Sequence, residues 1–197
     1  MKEFLNDLFS FVIDTCKLYS IDESHGLGHS MNVYYYATQL YRNTSGSRDK
    51  DEKIIGVASI LHDMCDKKYM NEEEGLERIR VFLEKFTNYL SKEEITIICT
   101  IISTMSYSKV REHGFPKLGE YMTAYHIVRE ADLLAAYQFD RCVIYQMMKK
   151  GDTFLQSVEY AKELFDKRVL KHIDHHLFTL DYSKKLVNDI VIFYPEI

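Results

Sequence analysis

The chain has 197 residues, enough for one domain with a sizeable core, and 46% of them are hydrophobic. Two prolines and eight glycines suit helices and are few for a sheet protein with many tight turns. The formal charge of -5 excludes broad sequence-independent binding to nucleic acid, which needs an excess of Lys and Arg, but leaves room for a local basic pocket.

In chain order, Phe4, Leu5, Leu8, Phe9, Val12, Ile13, Cys16 and Tyr19 recur at helical spacing and predict a first amphipathic helix. Glu3, Asp7 and Asp14 within it argue against a signal peptide. Residues 21–28 read as a loop, and a second helix starts near His29 and runs through Val33, Tyr36, Ala37 and Leu40. After a break over 44–49, a third helix from about Asp51 buries Ile54, Val57, Ala58 and Leu61 and reaches His62 and Asp63. Glu72 to Asn88 predicts a charged amphipathic helix, and Ser91 followed by Glu94 is a capping-box signature for the next one. Gly114, Pro116 and Gly119 mark 107–119 as a loop. Helices follow over 121–137, most of 141–150, 153–171 and 183–193, the last ending before Pro195. No segment alternates with period two, so the expected fold is all-α.

Cys16, Cys65, Cys99 and Cys142 are scattered without CxxC spacing, which predicts free thiols in a reduced, cytoplasmic protein. The longest nearly uncharged run, 95–110, is too short and too polar to span a bilayer, so no membrane partner is expected. Of Tyr34, Tyr35 and Tyr36, Tyr36 is assigned to the core and the other two to grooves or a subunit contact, which leaves room for a homodimer.

Four residues stand out against this apolar background. His29 shares a stripe with Val33, Tyr36 and Leu40, His62 and Asp63 close the apolar run of the third helix, and Asp132 shares a stripe with Tyr121, Tyr125, Val128 and Ala135. Singly, each has an ordinary reading: a hydrogen-bonded core histidine, a helix terminus, a carboxylate paired with an arginine. Together, two imidazoles and two carboxylates converging in a helical core point to a cation between them, because a buried carboxylate without compensation costs several kcal/mol.

The order His29, then Leu61-His62-Asp63, then Glu130-Ala131-Asp132 resembles the HD superfamily of metal-dependent phosphohydrolases, whose pattern is H…HD…D. Residues 24–29 with Val33 and Ala37, 61–69, 102–109 and the Ala131-Asp132 segment are similar to a bacterial-type nucleotide pyrophosphatase-like subgroup. A weaker likeness extends through Leu164, Phe165 and Arg168, so the resemblance covers most of the chain.

The resemblance implies a single all-helical domain over 1–197, with a core over about 22–140 and C-terminal helices over 141–197 packed on it. It implies that His29, His62, Asp63 and Asp132 ligate one divalent ion. Mn²⁺ is favoured for this mixed donor set, with Fe²⁺, Co²⁺, Ni²⁺, Zn²⁺ or Mg²⁺ as alternatives. It further implies attack on phosphorus by metal-activated water in a small phosphorylated substrate, with a nucleoside triphosphate favoured. Asp66, three residues after Asp63 and one turn away if the helix continues, takes the place of a Glu that handles protons in other members; the bland reading pairs it with Lys67 or Lys68. His25, Lys67, Lys68 and Lys109 are assigned to the substrate, and Arg111 and Arg129 are further candidate charges. His113 and His126 are the candidates for a second metal, and the cluster His172, His175 and His176 reads as a wet helix end. Two rival functions are a 5′-nucleotidase that releases phosphate and a non-catalytic helical module for binding or sensing; in a further reading the polar residues pair with one another and hold no metal.

Overall fold

The apolar stripes read from the sequence close on one another in a computed structural model that describes residues 2–45, 48, 50–172 and 176–192. Ten α-helices are present among them and no strand: α1 (Lys2–Tyr19), α2 (Leu27–Asn43), α3 (Asp51–Leu61), α4 (Glu72–Leu83), α5 (Lys92–Thr104), α6 (Tyr107–His113), α7 (Met122–Ala135), α8 (Phe139–Tyr145), α9 (Phe154–Leu164) and α10 (Asp181–Ile192). The fold is all-α. Among the described residues no helix is long and apolar enough to cross a membrane, and all four cysteines lie outside any disulfide.

The centre is the triangle of α2, α3 and α7. Each packs on the other two, α5 covers α3, and α1 and α10 close the sides. Val33, Ala37 and Leu40 of α2, Ile54 and Ala58 of α3, and Ala124, Val128 and Ala131 of α7 have no exposed surface. The alanines let the three backbones approach closely, which brings the ends of these helices within side-chain reach of a common point.

Local chemistry sets the helix ends. The capping box is formed: the Ser91 N–H donates to Glu94 Oε2 (2.7 Å) and the Glu94 N–H to Ser91 Oγ (3.2 Å). Asn71 caps α4 by accepting the Glu74 N–H. The expected loop over 107–119 is corrected in its first half. Tyr107 to His113 is helical because the breakers begin only at Gly114, whose φ of 73° ends the helix. The helix expected to Asn88 leaves α geometry at Leu83 for a short 3₁₀ turn. The two C-terminal helices expected over 141–150 and 153–171 each pass into a π segment, at Gln146–Lys150 and Phe165–Val169. Residue 193, the expected end of the last helix, lies outside the described residues, and the division at 140/141 falls inside α8.

Two contacts hold the site's surroundings. Gly75 of α4 meets the segment after α3 so closely that an added Cβ would sit 2.7 Å from Cys65 Cβ and 2.8 Å from its Cα. Glu130, fully buried on α7, accepts the Thr179 N–H (2.8 Å), the Thr179 hydroxyl (2.6 Å), the Leu180 N–H (3.2 Å) and an Arg129 N–H (2.8 Å), fastening the 177–180 strap to the core.

Gly75→Ala should lower the free energy of unfolding by about 1–3 kcal/mol through overpacking against backbone. Denaturant unfolding checks this, and an unchanged midpoint would refute the close contact.

Candidate metal centre

Three elements deliver four ligand-type side chains to one place. His29 stands in the first turn of α2, His62 and Asp63 follow the last residue of α3, and Asp132 lies near the end of α7. His29 Nε2 is 2.9 Å from His62 Nε2, 3.2 Å from Asp63 Oδ2 and 3.3 Å from Asp132 Oδ1. His62 Nε2 is 3.3 Å from Asp63 Oδ2 and 3.6 Å from Asp132 Oδ1. Donors about 2.1 Å from an ion lie about 3.0 Å apart at right angles and about 3.4 Å apart at the tetrahedral angle. The observed separations, from 2.9 to 3.6 Å, straddle those values, and His29, His62 and Asp63 form a group that could hold a metal ion.

The hydrogen bonding fits the same use. His62 Nδ1 lies 2.8 Å from the Ser59 carbonyl. A carbonyl only accepts, so Nδ1 carries a proton, and in its neutral form the ring turns a bare Nε2 lone pair on the cluster. Asp63 Oδ2 is buried without a hydrogen-bond partner, as an oxygen reserved for a cation would be.

Protons are the cluster's other source of positive charge. Burial pulls the His62 imidazole down, but Asp63 and Asp132 beside it more than offset this and hold it at about 10. Burial raises both carboxylates, and the neighbouring imidazoles overcome it, so Asp63 and Asp132 sit well below the usual carboxylate range.

The cluster opens on a cavity of about 590 Å³ that also receives His25, Asp66, Lys67, Lys68, Lys109, Arg129 and Arg141. His25 is 92% buried and linked on both sides. Lys68 Nζ donates to its Nε2 (2.9 Å), so its Nδ1–H faces Ser24 Oγ (2.7 Å). Ser24 bonds in turn to Asp22, which also accepts the Tyr69 hydroxyl at 2.7 Å. Burial drives His25 down to about 3; Asp63 opposes that shift, while Arg141 and Lys68 reinforce it. A neutral ring thus orients the Lys68 ammonium. Lys67 is exposed on the cavity wall. Lys109 is held by Glu72 and by the Ser103 carbonyl (2.7 Å). Arg129 is buried against Glu130 with its guanidinium over Phe115.

Asp66 reaches the cavity by a different route from the one expected. The helix does not continue: α3 stops at Leu61, and turns closed by Met64 N–H to Leu61 O (3.0 Å) and Asp66 N–H to Asp63 O (3.2 Å) carry the chain on. Asp66 Oδ1 accepts the Lys68 N–H (2.9 Å), and Oδ2 lies 3.5 Å from Lys68 Nζ.

The other histidines stand apart from this group. His113 is exposed at the end of α6, and His126 packs between Phe115 and Arg129. His172 is corrected: it is 3% exposed and lines the cavity beside the Tyr107 and Tyr137 rings, so it does not occupy a wet helix end. His176 is exposed, and His175 lies outside the described residues. Tyr34 joins Tyr36 in packing against the core, and only Tyr35 points outward.

Sequence reasoning missed Arg141. It projects from α8 with Nη2 3.7 Å from Asp63 Oδ2 and Nε donating to the Ser24 carbonyl. No spacing relative to the cluster marks it, and a charge near the start of an amphipathic helix reads as solvated.

No protein-family model matches the chain, and no curated protein matches it. Among solved structures it is similar to the crystal structure of a Lactobacillus plantarum protein determined as a structural genomics target, with a TM-score of 0.70 and 20% identity over 96% of this chain and 90% of that one. At that identity the likeness bears on the all-α fold alone.

The raised His62 value carries a pH signature. Its stabilising contribution is complete below the unfolded value of 6.5 and is lost as pH climbs through about 10. Chelator-treated protein should therefore lose thermal stability between pH 6.5 and 10, and His62→Gln should flatten that slope. An identical slope in the variant would show that His62 is not the group responsible.

Proposed function

We propose that this chain is a divalent-metal-dependent phosphohydrolase for a small phosphorylated molecule, with a nucleoside triphosphate as favoured substrate and pyrophosphate as favoured product. One observation carries the reading: a two-imidazole, two-carboxylate cluster opens on a cavity supplied with five cationic side chains, Lys67, Lys68, Lys109, Arg129 and Arg141. Against them stand Asp63, Asp66, Glu72 and Asp132, with Glu130 paired to Arg129 behind the wall, so with a divalent ion bound the cavity would still be net positive and would select an anion. Its volume is that of a small-molecule site.

His29, His62, Asp63 and Asp132 would hold the ion; Mn²⁺ suits them, as do other borderline divalent ions. When bound, such an ion lowers the pKa of a water and withdraws charge from phosphorus. The chain's own groups do the rest. Lys68, fixed by His25, meets a phosphate oxygen with an ammonium whose direction is set before the substrate arrives. Asp66 keeps Oδ1 on the Lys68 backbone, and Oδ2, 3.5 Å from the Lys68 ammonium, would take a proton from the attacking water. The apolar wall of Ile102, Met105, Leu133, Leu164 and Val169 shields the reacting groups and offers a surface for the rest of the substrate.

Stripped protein given a nucleotide panel with and without Mn²⁺ should release nucleoside monophosphate and pyrophosphate only with the metal. His62→Ala, which deletes a ligand outright, should lose more than the ~10–100-fold of metal affinity that follows from disturbing a ligand's outer partner. Nucleoside plus phosphate would make it a nucleotidase. No turnover of any phosphorylated compound would remove the enzymatic reading.

A further inference from the structure

Arg141 comes from outside the three elements that build the cluster. Its Nε–H is taken by the Ser24 carbonyl, which fixes the guanidinium plane. Nη2 then lies 3.7 Å from Asp63 Oδ2, close enough for charge to act and too far for a hydrogen bond. Among the described residues its two terminal nitrogens make no hydrogen bond, and the side chain, 17% exposed, lines the cavity.

A guanidinium cannot shed its charge. Placed beside an oxygen that ligates a divalent ion, it opposes that ion. An oxyanion between the two removes the conflict, with one oxygen towards the ion and others on the guanidinium fork, whose geometry matches phosphate. We infer that Arg141 makes the cluster's hold on a divalent ion and on a phosphate-type oxyanion depend on each other: it weakens binding of the metal alone and strengthens binding of the anion to the loaded site. Linkage requires each ligand to help the other by the same factor. The inference rests on the phosphohydrolase reading of the cluster.

The rival account is structural: Arg141 ties α8 to the loop that carries Ser24 and His25. The two accounts differ in sign, since loss of a tie loosens the site for both ligands. Mn²⁺ binding can be followed by electron paramagnetic resonance of the free ion, and binding of inorganic phosphate to Mn²⁺-loaded protein by calorimetry, for wild type, Arg141→Gln and Arg141→Lys. Arg141→Gln should bind Mn²⁺ alone about threefold more tightly or better, and phosphate at least about tenfold more weakly once loaded. Arg141→Lys, which keeps the charge and loses the fork, should match wild type on Mn²⁺ and fall between on phosphate. If Arg141→Gln fails to fold, Arg141→Lys carries the test, and phosphate affinity equal to wild type overturns the inference. Weakening of both ligands in Arg141→Gln, or unchanged phosphate affinity, overturns it and leaves the phosphohydrolase reading intact. A wild-type protein that binds Mn²⁺ but no phosphate overturns both.

Discussion

Two carboxylates and two imidazoles crowded into the end of an apolar helical bundle must be compensated by positive charge, and the rest of the architecture answers to that requirement. Without it, each buried carboxylate would cost several kcal/mol, a large share of a domain's net stability. The close triangle of α2, α3 and α7 makes the crowding feasible, since ligands from three helix ends can meet only if those helices approach through small residues such as Ala37, Ala58 and Ala131. A proton on His62 can supply the charge, and so can a metal. The two would compete for one Nε2 lone pair, so a metal bound at the centre would be tied to pH through that same atom.

Around the cluster lies a layer of groups that commit one another. Lys68 is aimed by His25, His25 by Ser24, and Ser24 by Asp22, which Tyr69 also holds. Each member has a definite donor or acceptor role, so the ammonium at the cavity mouth is oriented before any ligand arrives. Lys109 is different, because Glu72 and the Ser103 carbonyl already engage it; its charge belongs to the wall that joins α4 and α6.

Much of this was legible in the sequence, for identifiable reasons. The helices around the core could be read because each presents a continuous apolar stripe to a single interior, and His29, His62, Asp63 and Asp132 were conspicuous as polar groups on those stripes. The segment over 107–113 was missed because breakers clustered after it coloured the whole stretch. The π segments escaped because hydrophobic spacing does not encode a shift in hydrogen-bond register. Arg141 and His172 escaped for a common reason: on an amphipathic C-terminal helix, a residue facing a polar cavity has the same pattern as one facing bulk water. Only the fold distinguishes the two, by laying both segments against the cavity.

The chain's order gives that arrangement a further meaning. Every cluster ligand lies at or before residue 132, whereas Arg141, Cys142, Tyr145, Tyr160, Leu164, Val169, His172 and Leu177, which form the facing wall, follow in one continuous stretch. That stretch is fastened back by Glu130 through Thr179 and Leu180. The cavity is thus lined from two parts of the chain: residues up to 136 supply the cluster and part of the wall, and 141–177 supply the remainder. Insertion, recombination or drift within some forty codons can reshape much of the cavity lining while the four cluster residues stay untouched, so in this architecture the lining beyond residue 140 is free to diverge faster than the cluster.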